Sequence, residues 1–201
     1  MKLKYNVLVL GAGGREHAII KKLKESPYLD KIYAFPGNGG ISQDAEIPEI
    51  SDDFKTINSF VKEKNISIVI PGPEAYIVKG IKDYIEGTFV FAPEKLSARL
   101  EGSKAFAKNF MKKYGIPTAP FEIFDEPEKA IDYLKTKKEI VVKADGLAGG
   151  KGAYVCNNFD ESKEAVKQIM IEKKFGEAGN KVVIEEKLTG EEASILALIS
   201  G

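Results

Sequence analysis

The chain has 201 residues, enough for one large domain or for one domain with part of another. Hydrophobic residues make up 43%, which supports a sizeable core, and 30 basic residues balance 30 acidic ones, so broad binding to nucleic acid or an anionic membrane is not expected. A single cysteine, Cys156, excludes an internal disulfide and a cysteine-based zinc site, and no apolar run approaches the roughly 20 residues that span a bilayer. Met1-Lys2-Leu3-Lys4-Tyr5 carries no signal-peptide pattern, and a reducing cytoplasm is the expected setting.

Residues 5–10 read as a buried strand, followed by a glycine turn and a helix from about Gly14 to Glu25. Ile32-Tyr33-Ala34-Phe35 is a second strand, stopped by Pro36-Gly37. Asp52 or Asp53 can cap a helix whose apolar positions Phe54, Ile57 and Val61 follow helical spacing. Ile66-Ser67-Ile68-Val69-Ile70 is a third strand, and the helix after it carries Ile77, Val78, Ile81 and Ile85 on one face. Thr88-Phe89-Val90-Phe91 supplies a short fourth strand. This alternation implies right-handed crossovers and a parallel sheet covered on both faces, an α/β, Rossmann-like domain over residues 1–101.

Residues 93–116 switch to helical periodicity, with Phe106, Ala107, Phe110 and Met111 as one stripe, and residues 102–120 read as a helix and linker. A smaller α+β unit is expected over 121–188. It starts with the strand Phe121–Phe124, and Asp125 and Glu128 have the spacing of a capping box before Ala130, Ile131 and Leu134. Ile140–Lys143 and Ala153–Cys156 read as strands around a second glycine loop. Asp160 can open a helix bearing Ala165, Val166, Ile169 and Met170, and Val182–Glu185 is a last strand. From 189 to 201 a new sheet is expected to start, with Ala193–Ser200 as its first strand, so the chain reads as the first half of a longer polypeptide.

The loop Asp145-Gly146-Leu147-Ala148-Gly149-Gly150-Lys151-Gly152 lies between two strands, whereas a P-loop carries Ser or Thr after its lysine and opens into a helix. Small residues at a hairpin tip let backbone N–H groups close over phosphates, and Lys143 and Lys151 add charge. That is the chemistry of a flap over a nucleoside triphosphate. The first glycine turn, Gly11-Ala12-Gly13-Gly14-Arg15-Glu16-His17, has Glu16 where a dinucleotide fingerprint needs its third glycine, and Phe35-Pro36 where that fingerprint wants an acid. Arg15 offers a fork for a terminal phosphate, so a phosphosugar fits better than NAD, while an unliganded tight turn remains an alternative.

Pro36-Gly37-Asn38-Gly39-Gly40 and Pro71-Gly72-Pro73-Glu74 also follow parallel strands, where open α/β sheets bind ligands. Glu74 can accept from ribose hydroxyls or simply complement a helix dipole. Ser103 can cap a helix, which puts Lys104 in a first turn that disfavours a cation unless a phosphate sits there. Ile184–Leu188, with Glu191 and Glu192 beyond, can meet an adenine edge and a ribose or be an ordinary charged strand end. His17 reads as structural, and Cys156 as a small buried hydrophobe.

In order and spacing, these motifs resemble the N-terminal half of the glycinamide ribonucleotide synthetases, of the ATP-grasp superfamily. The likeness runs through Gly11–His17, Pro36–Asn38, Gly72–Glu74, Leu100–Phe106, Lys143–Ala148 with Gly150–Gly152, and Glu185-Glu186 to Gly190–Ser194. It implies a Rossmann-like first domain followed by the small lobe of an ATP-grasp fold, cut before the central sheet is complete. It also implies ATP-dependent ligation of glycine to 5-phosphoribosylamine through glycyl phosphate, with no nucleic acid or membrane partner. By the resemblance Lys104, Lys143, Gly146, Gly149, Gly150, Lys151 and Gly152 hold ATP phosphates. Glu185, Glu186, Lys187 and Leu188 meet adenine, with Glu192 on the ribose, and Gly13, Gly14, Arg15, Asn38 and Glu74 face the phosphoribosylamine. Relatives often carry alanine at Gly149, so a slightly looser flap is expected. The family's magnesium ligands fall past residue 201, so the cofactor Mg2+ has no ligand here and the isolated chain is expected to be inactive. No catalytic residue is singled out. Two alternatives stand beside the ligase: a non-catalytic nucleotide-binding fragment and an NAD-dependent oxidoreductase.

Overall fold

In the computed structural model, which describes residues 3–197, the buried run Val7-Leu8-Val9-Leu10 forms the middle of strand β1 (Tyr5–Gly11). Helix α1 (Gly14–Lys24) and strand β2 (Leu29–Pro36) follow, then α2 (Phe54–Glu63) and β3 (Ile66–Pro71). Two short helices, α3 (Glu74–Lys79) and α4 (Ile81–Tyr84), lead to β4 (Phe89–Val90) and α5 (Lys95–Gly102). The four strands form a parallel sheet in the order β2-β1-β3-β4. Alternation along β1 explains its two buried faces. Leu8 and Leu10 join Tyr33, Phe35 and Val69 under Ile57, Phe60 and Val61 of α2, while Val7 and Val9 join Ile32 and Ala34 under Ile20 of α1.

The chain divides after Gly102 into two compact units. The second begins with α6 (Lys104–Tyr114) and continues through β5 (Phe121–Phe124), α7 (Pro127–Leu134), β6 (Ile140–Ala144), β7 (Ala153–Cys156), α8 (Phe159–Val166) and β8 (Val182–Glu186). Its four strands form an antiparallel sheet in the order β5-β8-β6-β7. One face carries Val142, Ala144, Val182 and Ile184 and packs on Ala130 and Leu134 of α7 and Ala165 and Val166 of α8. After α8 a single π-helical turn, Lys167–Ile171, keeps Ile169 and Met170 in the same core. A parallel α/β sheet followed by a small α+β lobe is the expected fold class.

Local details depart from expectation for identifiable reasons. The helix carrying Ile77 to Ile85 is two helices, because Gly80 adopts φ +92 between them and only Ile81 and Ile85 reach the core. The cap of α2 is Asp53, which accepts from the Thr56 N–H. No capping box forms at α7: its N-cap is Glu126, with no side-chain cap bond, and Pro127 supplies the helical φ at the first position. Asn158, not Asp160, caps α8 through the Glu161 N–H. The helical stretch 93–116 is α5 and α6 separated at an extended Ser103. The buried residues of α6 are Ala105 and Lys108, with the expected stripe Phe106, Ala107, Phe110 and Met111 only half-buried. Residues 193–197 form no strand, and Leu198–Ser200 of that expected strand lie outside the described residues.

Leu134 is fully buried in the second core. Leu134→Ala should therefore lower the stability of that unit by roughly 2–5 kcal/mol, read from the urea midpoint of its unfolding transition.

Candidate ligand sites of the two units

In the first unit three loops meet at the carboxyl ends of the parallel strands. The Gly72 N–H donates to the Leu10 carbonyl at 2.8 Å and the Gly37 N–H to the Gly11 carbonyl at 3.2 Å. Asn38 ties two loops together: its Nδ2 donates to the Ala12 carbonyl at 2.6 Å, and its Oδ1 accepts from the N–H groups of Gly40 at 2.7 Å and Ile41 at 2.9 Å. Gly13 is the N-cap of α1, and Gly14, the first helical residue, has open space where a side chain would stand. Arg15 follows, exposed, with its guanidinium 3.0 Å from the Glu74 carboxylate. Glu74 is held below its ordinary pKa by its own backbone N–H and then by Arg15, and Arg15 is raised in turn by Glu74. The resemblance-derived residues Gly13, Gly14, Arg15, Asn38 and Glu74 thus share one edge of the sheet.

Glu16 has a part that the sequence left unread. It is 4% exposed, and its Oε2 accepts from the Gly13 N–H at 2.6 Å. A Cβ on Gly11 would stand 2.6 Å from Glu16 Cγ, and one on Gly72 would collide with the same carboxyl group. The glutamate therefore fills the cradle between the ends of β1 and β3, where a dinucleotide pyrophosphate would need open backbone. Its signal was the three-residue step from Gly13, the spacing of a side chain that reaches back to an N-cap. His17 has a partner on the neighbouring loop: its Nε2 lies 2.8 Å from Asp44 Oδ2, and Lys24 donates to Asp44 Oδ1 at 2.7 Å. These contacts, Lys24 first and His17 next, pull the Asp44 carboxyl down to about 2 and fasten the 37–45 loop to α1.

In the second unit the sheet face away from α7 and α8 carries the charges. Lys143 on β6 and Glu185 on β8 share this face by register, and Lys143 Nζ donates to Glu185 Oε2 at 2.9 Å. Lys108 of α6 approaches the same oxygen at 3.0 Å, donates to Thr118 Oγ1 at 2.6 Å, and lies over the Phe121 ring at 5.6 Å. Lys108 and Glu185 are buried, so their pairing depends on mutual neutralisation. Two cations meet one carboxylate, leaving excess positive charge beside half-buried Val141 and exposed Val155. Lys108 was missed because a lysine within a half-polar stripe looks solvated; only its distant partner reveals it.

Lys104 donates to the Gly146 carbonyl at 2.8 Å, at the base of the glycine flap. The helix start that seemed to want a phosphate is met by Asp145, whose Oδ1 accepts from the Ala105 N–H at 3.0 Å and from the Ser103 hydroxyl at 2.9 Å. Gly149 and Gly150 have φ +58 and +75, a region that an alanine at 149 would enter only with strain. Gly152 is buried, and a Cβ there would stand 2.5 Å from that of Ala148. Lys151 is exposed at the tip. Not all expected residues converge. Glu186 is exposed, with its backbone N–H on the Pro120 carbonyl; Lys187 turns to Asn157 Oδ1 at 3.0 Å; Leu188 and Glu192 lie exposed on a segment without regular structure. No group of three or more metal-ligating side chains gathers among the described residues, and no described helix is long and apolar enough to cross a membrane.

A small antiparallel lobe with a glycine flap beside a lysine-bearing sheet face, after a parallel α/β unit, defines an ATP-grasp protein. At the level of fold, the N5-carboxyaminoimidazole synthetase of Staphylococcus aureus, solved with ADP, matches 94% of this chain and 48% of its own with a TM-score of 0.69 at 17% identity. Two family models match in sequence, "Phosphoribosylglycinamide synthetase, N domain" over residues 5–101 and "Phosphoribosylglycinamide synthetase, ATP-grasp (A) domain" over residues 102–201. The chain belongs to the phosphoribosylglycinamide synthetase family. The phosphoribosylamine–glycine ligase of Caldanaerobacter subterraneus subsp. tengcongensis is 47% identical over 199 residues, covering 97% of this chain and 48% of that protein. A bifunctional purine biosynthetic protein of Saccharomyces cerevisiae is 45% identical, covering 98% of this chain and 26% of its own. The crystal structure of the Thermotoga maritima phosphoribosylamine–glycine ligase superposes with a TM-score of 0.77 at 36% identity, over 92% of this chain and 44% of that one. The chain spans about half the length or less of the curated relatives it matches.

Asp44 titrates lower in the folded state than in the unfolded one, so its stabilisation is present above about pH 4 and is lost as pH falls toward about 2. The difference in melting temperature between the wild type and Asp44→Asn should shrink to nothing across that window. Glu185→Gln should destabilise the second unit by on the order of 3 kcal/mol, since it leaves the buried Lys108 ammonium without its counter-charge. A urea titration that follows that unit measures the loss.

Proposed function

We propose that the second unit binds ATP on the face of its antiparallel sheet away from α7 and α8, and that the chain serves the ligation of glycine to 5-phosphoribosylamine. In that reaction the glycine carboxylate takes the γ-phosphoryl group, ADP leaves, and the amine of phosphoribosylamine attacks the glycyl phosphate carbonyl. Phosphate then departs with the formation of the amide bond in glycinamide ribonucleotide, a step of purine biosynthesis. The observation that carries the reading is the pair of lysines, Lys143 and Lys108, on one carboxylate, Glu185, with Lys104 on the Gly146 carbonyl at the base of the glycine flap. A net positive face beside apolar Val141 and Val155 suits a flat base with a polyphosphate tail.

In this reading Lys104 and Lys143 meet phosphates, with Gly146, Gly149, Gly150, Lys151 and Gly152 folding over them. Glu185 to Leu188 and Glu192 meet adenine and ribose. A flap over the acyl phosphate keeps water from hydrolysing it. In the first unit Arg15 takes the sugar phosphate at the edge built by Gly13, Gly14, Asn38 and Glu74, because Glu16 already fills the interior of the turn. Magnesium would neutralise the polyphosphate, but the described residues do not assemble ligands for it, and no step is routed through it here. A cytoplasmic setting accords with a lone, buried cysteine.

Calorimetry of the 201-residue chain with ADP tests the nucleotide half. Saturable binding is expected, weakened about tenfold or more in Lys143→Met, which loses one charge-assisted contact. No binding of ADP, or equal binding of NADH, would overturn the reading.

A further inference from the structure

The buried carboxylate Glu185 is answered by two lysines that hold it in different ways. Lys143, on β6, donates from Nζ to Oε2 at 2.9 Å, the one polar partner its ammonium has among the described residues, and its side chain is 28% exposed. Lys108, on α6, brings its ammonium to 3.0 Å from the same oxygen but directs its hydrogen bond to Thr118 Oγ1 at 2.6 Å. The centre of the Phe121 ring lies 5.6 Å from that ammonium, and the Lys108 side chain is only 9% exposed. One cation is thus enclosed and tied to the segment before β5, while the other stands at the margin of the sheet face on a single contact.

A carboxylate as enclosed as Glu185 is strongly disfavoured without a counter-charge, yet one cation is enough to answer it. Two ammonium groups on one oxygen also repel each other, so each loosens the other's hold. Lys108 has no way out of the pairing: being buried, it needs the carboxylate as much as the carboxylate needs it. Lys143 is already partly in water, on a flexible stem, and can turn to another anion because Lys108 stays behind with Glu185. We propose that Lys108 is a positioning residue, the resident counter-ion of Glu185, whose presence frees Lys143 to meet an anionic group on the sheet face. Without Lys108, Glu185 would hold Lys143 for itself. The use of the freed Lys143 on a nucleotide phosphate rests on the reading given above; the division between a resident and a free cation does not.

Trace acetylation of the folded 201-residue chain with acetic anhydride, read lysine by lysine by mass spectrometry against exposed Lys135, reports how freely the Lys143 amine leaves its carboxylate. Without nucleotide, Lys108→Met should lower the labelling of Lys143 about threefold, because Glu185 then holds it alone. Lys108→Arg, which keeps the charge, should label at the wild-type rate. Loosened packing by itself would speed labelling, so an unchanged or faster rate in Lys108→Met overturns the proposal, as does a rate in Lys108→Arg as low as in Lys108→Met. Should Lys108→Met fail to fold, Lys108→Gln, which keeps a donor for Thr118 but not the charge, replaces it with the same fall expected. By calorimetry ADP should bind Lys108→Met about tenfold more weakly than the wild type, and Lys108→Arg within about twofold of it. Equal affinity in the wild type and Lys108→Met overturns the role of Lys108 in freeing Lys143. If ADP does not bind the wild type, the nucleotide reading and the use of the freed Lys143 fall together, while the ligand-free labelling still decides the resident counter-ion.

Discussion

The first N–H groups of a helix have no partner inside it, and much of this chain's loop architecture follows from how two helices meet that demand. In the first unit Glu16 reaches back to the Gly13 N–H and in doing so occupies the space that Gly11 and Gly72 leave open. The turn is thereby filled from within, and in the proposed reading an incoming anion is met from outside by Arg15. In the second unit the demand at α6 is met by Asp145, a residue some 40 positions away in sequence, so that a helix start and a flap base become one assembly. The same physical need closes one glycine loop and anchors the other.

The antiparallel sheet separates packing from chemistry by the two-residue period of its strands. Val142, Ala144, Val182 and Ile184 face the helices; Lys143 and Glu185 face the other way. Because Glu185 is buried, its charge must be answered, and Lys108 and Lys143 answer it with one positive charge to spare. Exposed pairs such as Lys22–Glu25 and Lys129–Glu126 have no such consequence, being screened by water and held by long side chains. In the proposed reading, the surplus at the buried cluster is what this face offers to an anionic ligand.

Elements whose signals are local were readable from the chain. The run Val7–Leu10, the cap Ser103, the α2 cap narrowed to Asp52 or Asp53, and the strand–loop–strand around the flap each depend on neighbours within a few residues. Where two local signals compete, the sequence is ambiguous. Asp125 and Asp160 are good caps in isolation, yet Pro127 and Asn158 start their helices, and Gly80 breaks an apolar periodicity that looked continuous. The partnerships of Lys108 and Asp145 were hidden for a further reason: each is defined by a group distant in sequence, Glu185 on a strand and Ala105 at a helix start. Lys104 and Lys143 were legible as charges near a flap, but their present partners, Gly146 and Glu185, emerge only when the sheet is assembled.

The strand order of the second sheet bears on how the chain is made. β8 lies between β5 and β6, so β5 has no place in the sheet until residues 182–186 exist, although it was completed at Phe124. In the first unit β1 finds β2 and then β3 as each appears. On a ribosome, the parallel unit can thus consolidate as it emerges, while the lobe that follows must wait with an unpaired strand for its last segment. Its Glu185 arrives with that same segment, so the counter-charge of Lys108 and Lys143 is the last part of the buried cluster to be made.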